Sequence, residues 1–395
     1  MIEAAAWTLI GLCGANVLYA YVGYPGLLKL LTAVGEEYRL PEEDPEEWPL
    51  LSISLPAYNE EAVIGETLEN LLSLEYPNDR LQILVISDAS TDRTDEIVRS
   101  FEDRGVELVR LEERGGKTAA ENAGVPHLRG EIVINTDAST RIVPGSLKAL
   151  VRTFQDPTVG VASGTDRSVG PEETDPLRGE SRYVSYEMAV RDLETRFGTL
   201  VGASGCFYAA RRDLHRVLVP EELSRDFIAA LNAREEGYRT VSVPGAVARV
   251  PRARSLSAEY RRKVRTMARG LDSLHTRREM LNPFRYGRFA WMLASHKLGR
   301  WFVPLTLPGA LAGLVALATA GQPLAMMGLG ATAVLAAGTA GALVWPRERP
   351  MPRFLAFAGY VGVGLSAGVV AWGKALARER KPVWEPTRRE TSGQT

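Results

Sequence analysis

The sequence predicts an α/β fold, with a mostly parallel sheet covered by helices on both faces and membrane-crossing helices at both ends of the chain. Three observations carry this. From Leu50 onward, short apolar runs alternate with helical patterns. Apolar stretches long enough to cross a bilayer stand near each terminus. The apolar runs of the middle region end in polar clusters, above all Gly130–Thr140, GEIVINTDAST. There Ile132–Ile134 is apolar on consecutive positions, as in a strand buried on both faces, and Asp137 follows where such a strand ends.

At the N-terminus, Ala4–Leu31 carries no charge until Lys29 and can span about 30 Å of hydrocarbon. Met-Ile-Glu lacks the positive region that opens a signal peptide, so residues 1–33 read as an uncleaved anchor. Tyr19, Tyr21 and Tyr24 suit an interfacial belt. Residues 34–49, acidic and with Pro41, Pro45 and Pro49, read as a solvated linker.

Strands are expected at Leu50–Leu55, Leu81–Ser87, Val106–Leu111 and Gly130–Thr136, with helices at Glu60–Leu74, Asp92–Phe101 and from Lys117 between them. Right-handed crossovers then open every strand's carboxyl end on one rim. Further on, Pro144–Phe154 and Leu177–Phe197 read as helices and Val159–Ser163 as a strand. Leu200–Ala210, LVGASGCFYAA, reads as a Gly-rich loop entering a strand. A helical run to Glu236 and a last strand at Gly237–Val243 complete a catalytic region of residues 50–250.

Residues 251–300 contain the basic run Arg252–Arg278 and read as interfacial helices. Within 301–376, three Gly- and Ala-rich segments, Trp301–Ala320, Pro323–Trp345 and Phe354–Leu376, are each long enough to span. The basic connection Arg347–Arg353 belongs in the cytoplasm by the positive-inside rule, which puts the catalytic region there too. Three C-terminal spans would then place the basic tail, 377–395, outside, against the same rule. Either one segment is re-entrant or the last does not span.

With 45% hydrophobic and 24% charged residues and a formal net charge of −1, the chain shows no sign of a nucleic-acid partner. Cys13 and Cys206 are too few for a framework of bridges and read as free thiols, as on the reducing side of a membrane. His127, His215, His275 and His296 lack ligand spacing and read as structural.

The rim residues carry the chemistry. The first strand delivers Pro56, Ala57, Tyr58, Asn59 and Glu60, the second Ser87–Asp92, and the fourth Thr136, Asp137, Ala138 and Ser139. A carboxylate followed two residues on by a hydroxyl suits a hard divalent cation carrying phosphates, although Asp and Ser are also ordinary turn residues. Asp92 reads as a helix cap, and Asp88 as a ligand-binding carboxylate. Lys117 is either an exposed side chain or part of the site. Gly-x-Gly-x-x-Gly and Walker patterns are absent from these turns, which argues against a dinucleotide enzyme or P-loop NTPase.

Over Leu50–Arg278 these motifs resemble the membrane-anchored family 2 glycosyltransferases, inverting enzymes of the GT-A fold. The resemblance implies that residues 56–60 line a nucleotide site, that Asp88 binds the donor's nucleoside and that Lys117 lies near the donor. It sets Asp137 and Ser139 in the place of the Asp-x-Asp metal motif, for Mg2+ or Mn2+. Asp226 falls on the general base, with Gly205 and Cys206 on the acceptor side. Arg262 and Arg265 fall where processive members carry Gln-x-x-Arg-Trp, Arg265 nearest the diphosphate. There are three departures: Ser139 replaces a metal carboxylate, Arg225 an acid before the base, and Thr266 the tryptophan on which a polymer stacks.

The expected function is inverting transfer from a nucleotide-diphosphate sugar to a lipid-linked or glycan acceptor at the cell membrane. The multi-pass chain would hold its catalytic domain in the cytoplasm, in contact with membrane lipids. Two alternatives remain at this stage, a processive polysaccharide synthase and a catalytically inactive nucleotide-sugar-binding scaffold. A transporter is weaker, since the spans hold hardly any ionisable residues.

Overall fold

The computed structural model describes residues 1–35, 37–169, 178–251, 255–346 and 349–379. Arg252 of the basic run, Arg347 of the basic connection and the tail beyond Glu379 lie outside the described residues.

Eight strands form one mixed sheet: β1 Leu51–Ala57, β2 Leu81–Ser87, β3 Val106–Arg110, β4 Ile132–Thr136, β5 Arg141–Ile142, β6 Val159–Val169, β7 Phe207–Arg211 and β8 Arg239–Pro251. Their order is β3-β2-β1-β4-β7-β6-β8-β5. The four predicted strands are the parallel half, with Leu51 opposite both Leu81 and Ile132. β7 then pairs antiparallel with β4 and β6, and β8 runs parallel to β6.

Helices cover both faces. Leu51, Ile53 and Leu55 point to one side, where Ile64, Leu68, Leu71, Leu147 and Leu150 meet them. On the other side Leu84, Ile86 and Val133 pack on Ala120. This second face approaches backbone closely at Gly130, where a Cβ would lie 2.3 Å from the Ser52 amide nitrogen. The Ser52 hydroxyl instead accepts from the Gly130 N–H at 2.7 Å.

Strands β6 and β8 run well past the predicted Val159–Ser163 and Gly237–Val243. Their outer halves pair with each other from Thr165–Val247 to Val169–Pro251, and β5 joins β8. The outer half of β6 is half-buried and polar, so it lacks the apolar run that marks a buried strand.

The acidic linker is strapped to the domain, not suspended in solvent. The Tyr38 hydroxyl donates to Asp156 at 2.7 Å, Arg152 reaches Asp44 at 2.6 Å, and Trp48 packs edge-on against Tyr76. Tyr24 likewise leaves the expected interfacial belt: it is fully buried and donates to Glu194.

Among the described residues, four helical stretches are long and apolar enough to cross a membrane: Ile2–Val34, Arg288–Thr319, Pro323–Val344 and Arg353–Leu376. The first contains a π turn at Tyr19–Gly23 and pairs antiparallel with the second, Gly309 lying against Cys13 and Gly313 against Ile10. A basic helix, Leu256–Thr276, lies between the sheet domain and these segments.

Candidate active site

A cavity of about 470 Å³ opens at the carboxyl rim of the parallel strands. Pro56, Ala57, Tyr58 and Glu60 line it from β1, and the Tyr58 ring carries the Arg114 guanidinium 3.8 Å from its centroid. Asn59 does not line it. Its backbone is left-handed (φ 52°), and its side chain accepts from the Thr91 N–H at 2.8 Å, clipping the β1 and β2 exits together.

Asp88 is buried at the end of β2. Its two carboxylate oxygens accept from the Gly115 and Gly116 N–H groups at 2.7 and 2.8 Å. The turn requires glycine: Gly116 has φ 92°, and a Cβ on Gly115 would come within 2.6 Å of Ala119. Asp88 therefore shapes the loop that leads into helix Lys117–Gly124. Asp92 accepts from the Thr94 N–H at 2.9 Å and from the Glu61 N–H at 3.1 Å, but the N-cap of helix Thr94–Arg99 is Arg93 and not Asp92, the expected cap.

Lys117 belongs to the site. Its ammonium donates to Asp137 Oδ1 at 2.6 Å and to the Gly205 carbonyl at 2.9 Å. Burial disfavours its charge, but Asp137 and Glu121 outweigh that and raise its pKa. Glu121 lies beneath it, nearly fully buried, and burial pushes its carboxyl upward.

Asp226 stands in the first turn of helix Arg225–Glu235 and lines the same cavity. Ser224, at the N-cap position, makes no capping bond; its hydroxyl donates to Asp226 Oδ1 at 2.6 Å. The other oxygen lies 3.1 Å from where a Cβ on Gly205 would stand, so glycine leaves the carboxylate its approach. Arg225 also lines this cavity. It is buried and donates to Asn122 and to the His215 carbonyl.

Gly205, Cys206, Arg262, Arg265 and Thr266 all line the cavity. Arg262 is paired with Glu259 at 2.8 Å. Thr266 offers no aromatic face, but Trp301 does line the cavity, its ring against Phe227 and over Gly270. The cavity thus holds an aromatic ring although Thr266 supplies none.

Sequence reasoning missed Arg114, Glu121, Asp166, Arg191 and Trp301. Asp166 lies on the unpredicted half of β6, where Ser204 donates to it at 2.7 Å and burial raises its pKa. Trp301 arrives from an apolar segment read only as a span. Arg114 alone had a signal, its place next to Gly115-Gly116.

Among the described residues no three His, Cys, Asp or Glu side chains cluster as a metal cage. Asp137 and Ser139 do line the cavity together. This donor set fits a cation that arrives with a diphosphate and keeps phosphate and water oxygens in its shell.

The strand order and rim site define a GT-A-type nucleotide-sugar fold. Residues 52–218 match the family described as Glycosyl transferase family 2, which supports a family 2 glycosyltransferase domain in this part of the chain. It is 30% identical over 154 residues to a beta-monoglucosyldiacylglycerol synthase of Nostoc sp., covering 38% of this chain and 33% of that one. It is 34% identical over 155 residues to a poly-beta-1,6-N-acetyl-D-glucosamine synthase of Staphylococcus epidermidis, covering 39% and 36%. The chain thus spans about a third of the length of these curated relatives. A solved mannosyltransferase of Pyrobaculum calidifontis, in complex with GDP-Man and Mn2+, superposes with a TM-score of 0.72. The two are 25% identical, over 96% of this chain and 100% of that one.

Proposed function

We propose that the protein transfers a sugar, with inversion, from a nucleotide-diphosphate sugar to a lipid-linked or glycan acceptor presented at the membrane. One observation carries this reading: a single cavity joins Asp88, Lys117 and Asp137 to Asp226 and extends to Trp301 and Tyr360 on apolar helices.

The donor half holds the nucleotide against Pro56–Tyr58 and the Asp88-braced glycine turn. Lys117, kept charged by Asp137, faces the diphosphate, as do Arg262 and Arg265, where negative charge grows as the glycosidic bond breaks. Asp137 and Ser139 would hold a divalent cation, which supplies further charge neutralisation when bound. Asp226 takes the proton from the acceptor hydroxyl, while Ser224 fixes its orientation. The acceptor enters past Gly205, Cys206 and Trp301. The likeness to a mannosyltransferase crystallised with GDP-Man and Mn2+ makes GDP-mannose the first donor to try. The catalytic domain faces the cytoplasm, on the side of the basic connection near Arg349.

The test is a donor screen on detergent-solubilised full chain, following nucleoside diphosphate release with and without added lipid extract. Lipid-stimulated release with one donor is expected. No release with any donor would favour the scaffold reading.

A further inference from the structure

By length and composition Arg353–Leu376 is a membrane span. Its contacts place it elsewhere. Helices Arg300–Thr319 and Pro323–Val344 form an antiparallel hairpin, with Gly328 against Leu314. In that register, residues near 341 stand level with residues near 301. Both mark the end of the hairpin nearest the catalytic domain, since Gly270 of the basic helix packs on Trp301.

The contacts of helix Arg353–Leu376 with the hairpin cluster at this end. Gly359 lies against Ala342, and Thr339 donates to the Ala358 carbonyl at 2.9 Å. Further along, Gly368 meets Pro304. The Trp372 indole N–H then donates to the Trp301 carbonyl at 2.6 Å, with its ring against Phe302. A span starting from Ala342 would climb about 20 Å between Gly359 and Trp372, reaching the level of residue 313. Instead Trp372 remains at residue 301. The helix crosses the base of the bundle and does not run up its side.

Its neighbour along the way is the basic helix. Leu256 meets Gly359, Lys263 donates to the Tyr360 hydroxyl at 3.3 Å, and Met267 meets Gly368. Both chains advance together, so the two helices lie side by side. The basic one lines the cavity with Arg262, Lys263, Arg265 and Arg269, and Tyr360 lines it too. Away from these contacts, Phe357, Val369, Val370 and Leu376 are exposed, with Arg353 and Lys374 near the ends.

We infer that helix Arg353–Leu376 lies flat in the headgroup boundary of the leaflet on the catalytic side, its exposed apolar residues set into the lipid surface. The chain then crosses the bilayer three times. Its C-terminal end returns to the catalytic side, which removes the conflict between the basic tail and the positive-inside rule. The inference is independent of the reaction catalysed.

The test uses the full chain in sealed vesicles, with Cys13 and Cys206 replaced by serine and single cysteines introduced as E102C, Q322C or A377C. A membrane-impermeant maleimide should reach A377C from the same side as E102C, and Q322C from the other. Labelling of A377C together with Q322C overturns the proposal. Nitroxide depth measurements at F357C and V369C decide the matter independently of maleimide access. A flat helix holds both at similar shallow depth, whereas a span separates them by about 18 Å. Depths differing by more than about 10 Å overturn the proposal even where A377C sides with E102C.

Discussion

The two halves of the cavity are built in different ways. The donor half comes from strand-to-helix turns close in sequence: Asp88 bonds Gly115 and Gly116, and Lys117 bonds Asp137. The acceptor half is assembled from distant segments. His296 sits between Glu194 and Glu187, Arg300 pairs with Glu187, and Tyr24 reaches Glu194 from the N-terminal helix. A turn can position a phosphate site with local backbone alone. The half proposed to receive the acceptor depends on how the apolar helices dock.

This contrast can be broken first at the junction of the halves. Asp226→Asn keeps the shape and the Ser224 contact but cannot take a proton. Turnover should fall roughly 100- to 10,000-fold, with donor affinity and melting temperature nearly unchanged. More than about a tenth of wild-type turnover would reduce Asp226 to a structural residue. Next, excess chelator should abolish turnover, and Asp137→Ala should remove the metal dependence of donor binding measured by calorimetry. Full activity in chelator would put the charge stabilisation on Lys117 and the arginines instead.

On the acceptor side, Glu187→Gln removes the charge that faces His296 and Arg300. A broken buried pair costs about 3–5 kcal/mol, so melting should fall markedly while donor affinity of the folded fraction is kept. On the donor side, Asp88→Asn loses one of two acceptors for the glycine turn. It should weaken donor binding by about 1–3 kcal/mol with little change in melting. If the two variants exchange their effects, the division into halves is wrong.

The smallest effect is a pH dependence. His215 is buried against Asn135; burial, and secondarily Arg225, holds its imidazole well below the ordinary 6.5. The unfolded chain therefore binds a proton that the folded one does not. This contribution to stability is intact above about pH 6.5 and declines below it, by about 1.4 kcal/mol at pH 5.5. His215→Gln should flatten that part of the melting-versus-pH curve.

The parallel half of the sheet and its polar rim are legible in the chain without the structure. Buried strands are read from consecutive apolar residues, and their exits from the polar clusters Pro56–Glu60, Ser87–Asp92 and Thr136–Ser139, all of which are local signals. The sequence also marked Asp226 through resemblance. Contacts between distant segments decide that Asn59 faces Thr91, that Arg225 is held by Asn122 and His215, that Asp166 and Trp301 join the cavity, and that the acidic linker is docked. Hydropathy reports how apolar a helix is but not its direction. Whether Arg353–Leu376 stands or lies depends on packing between residues far apart in the chain, such as Trp372 on Trp301 and Gly368 on Pro304.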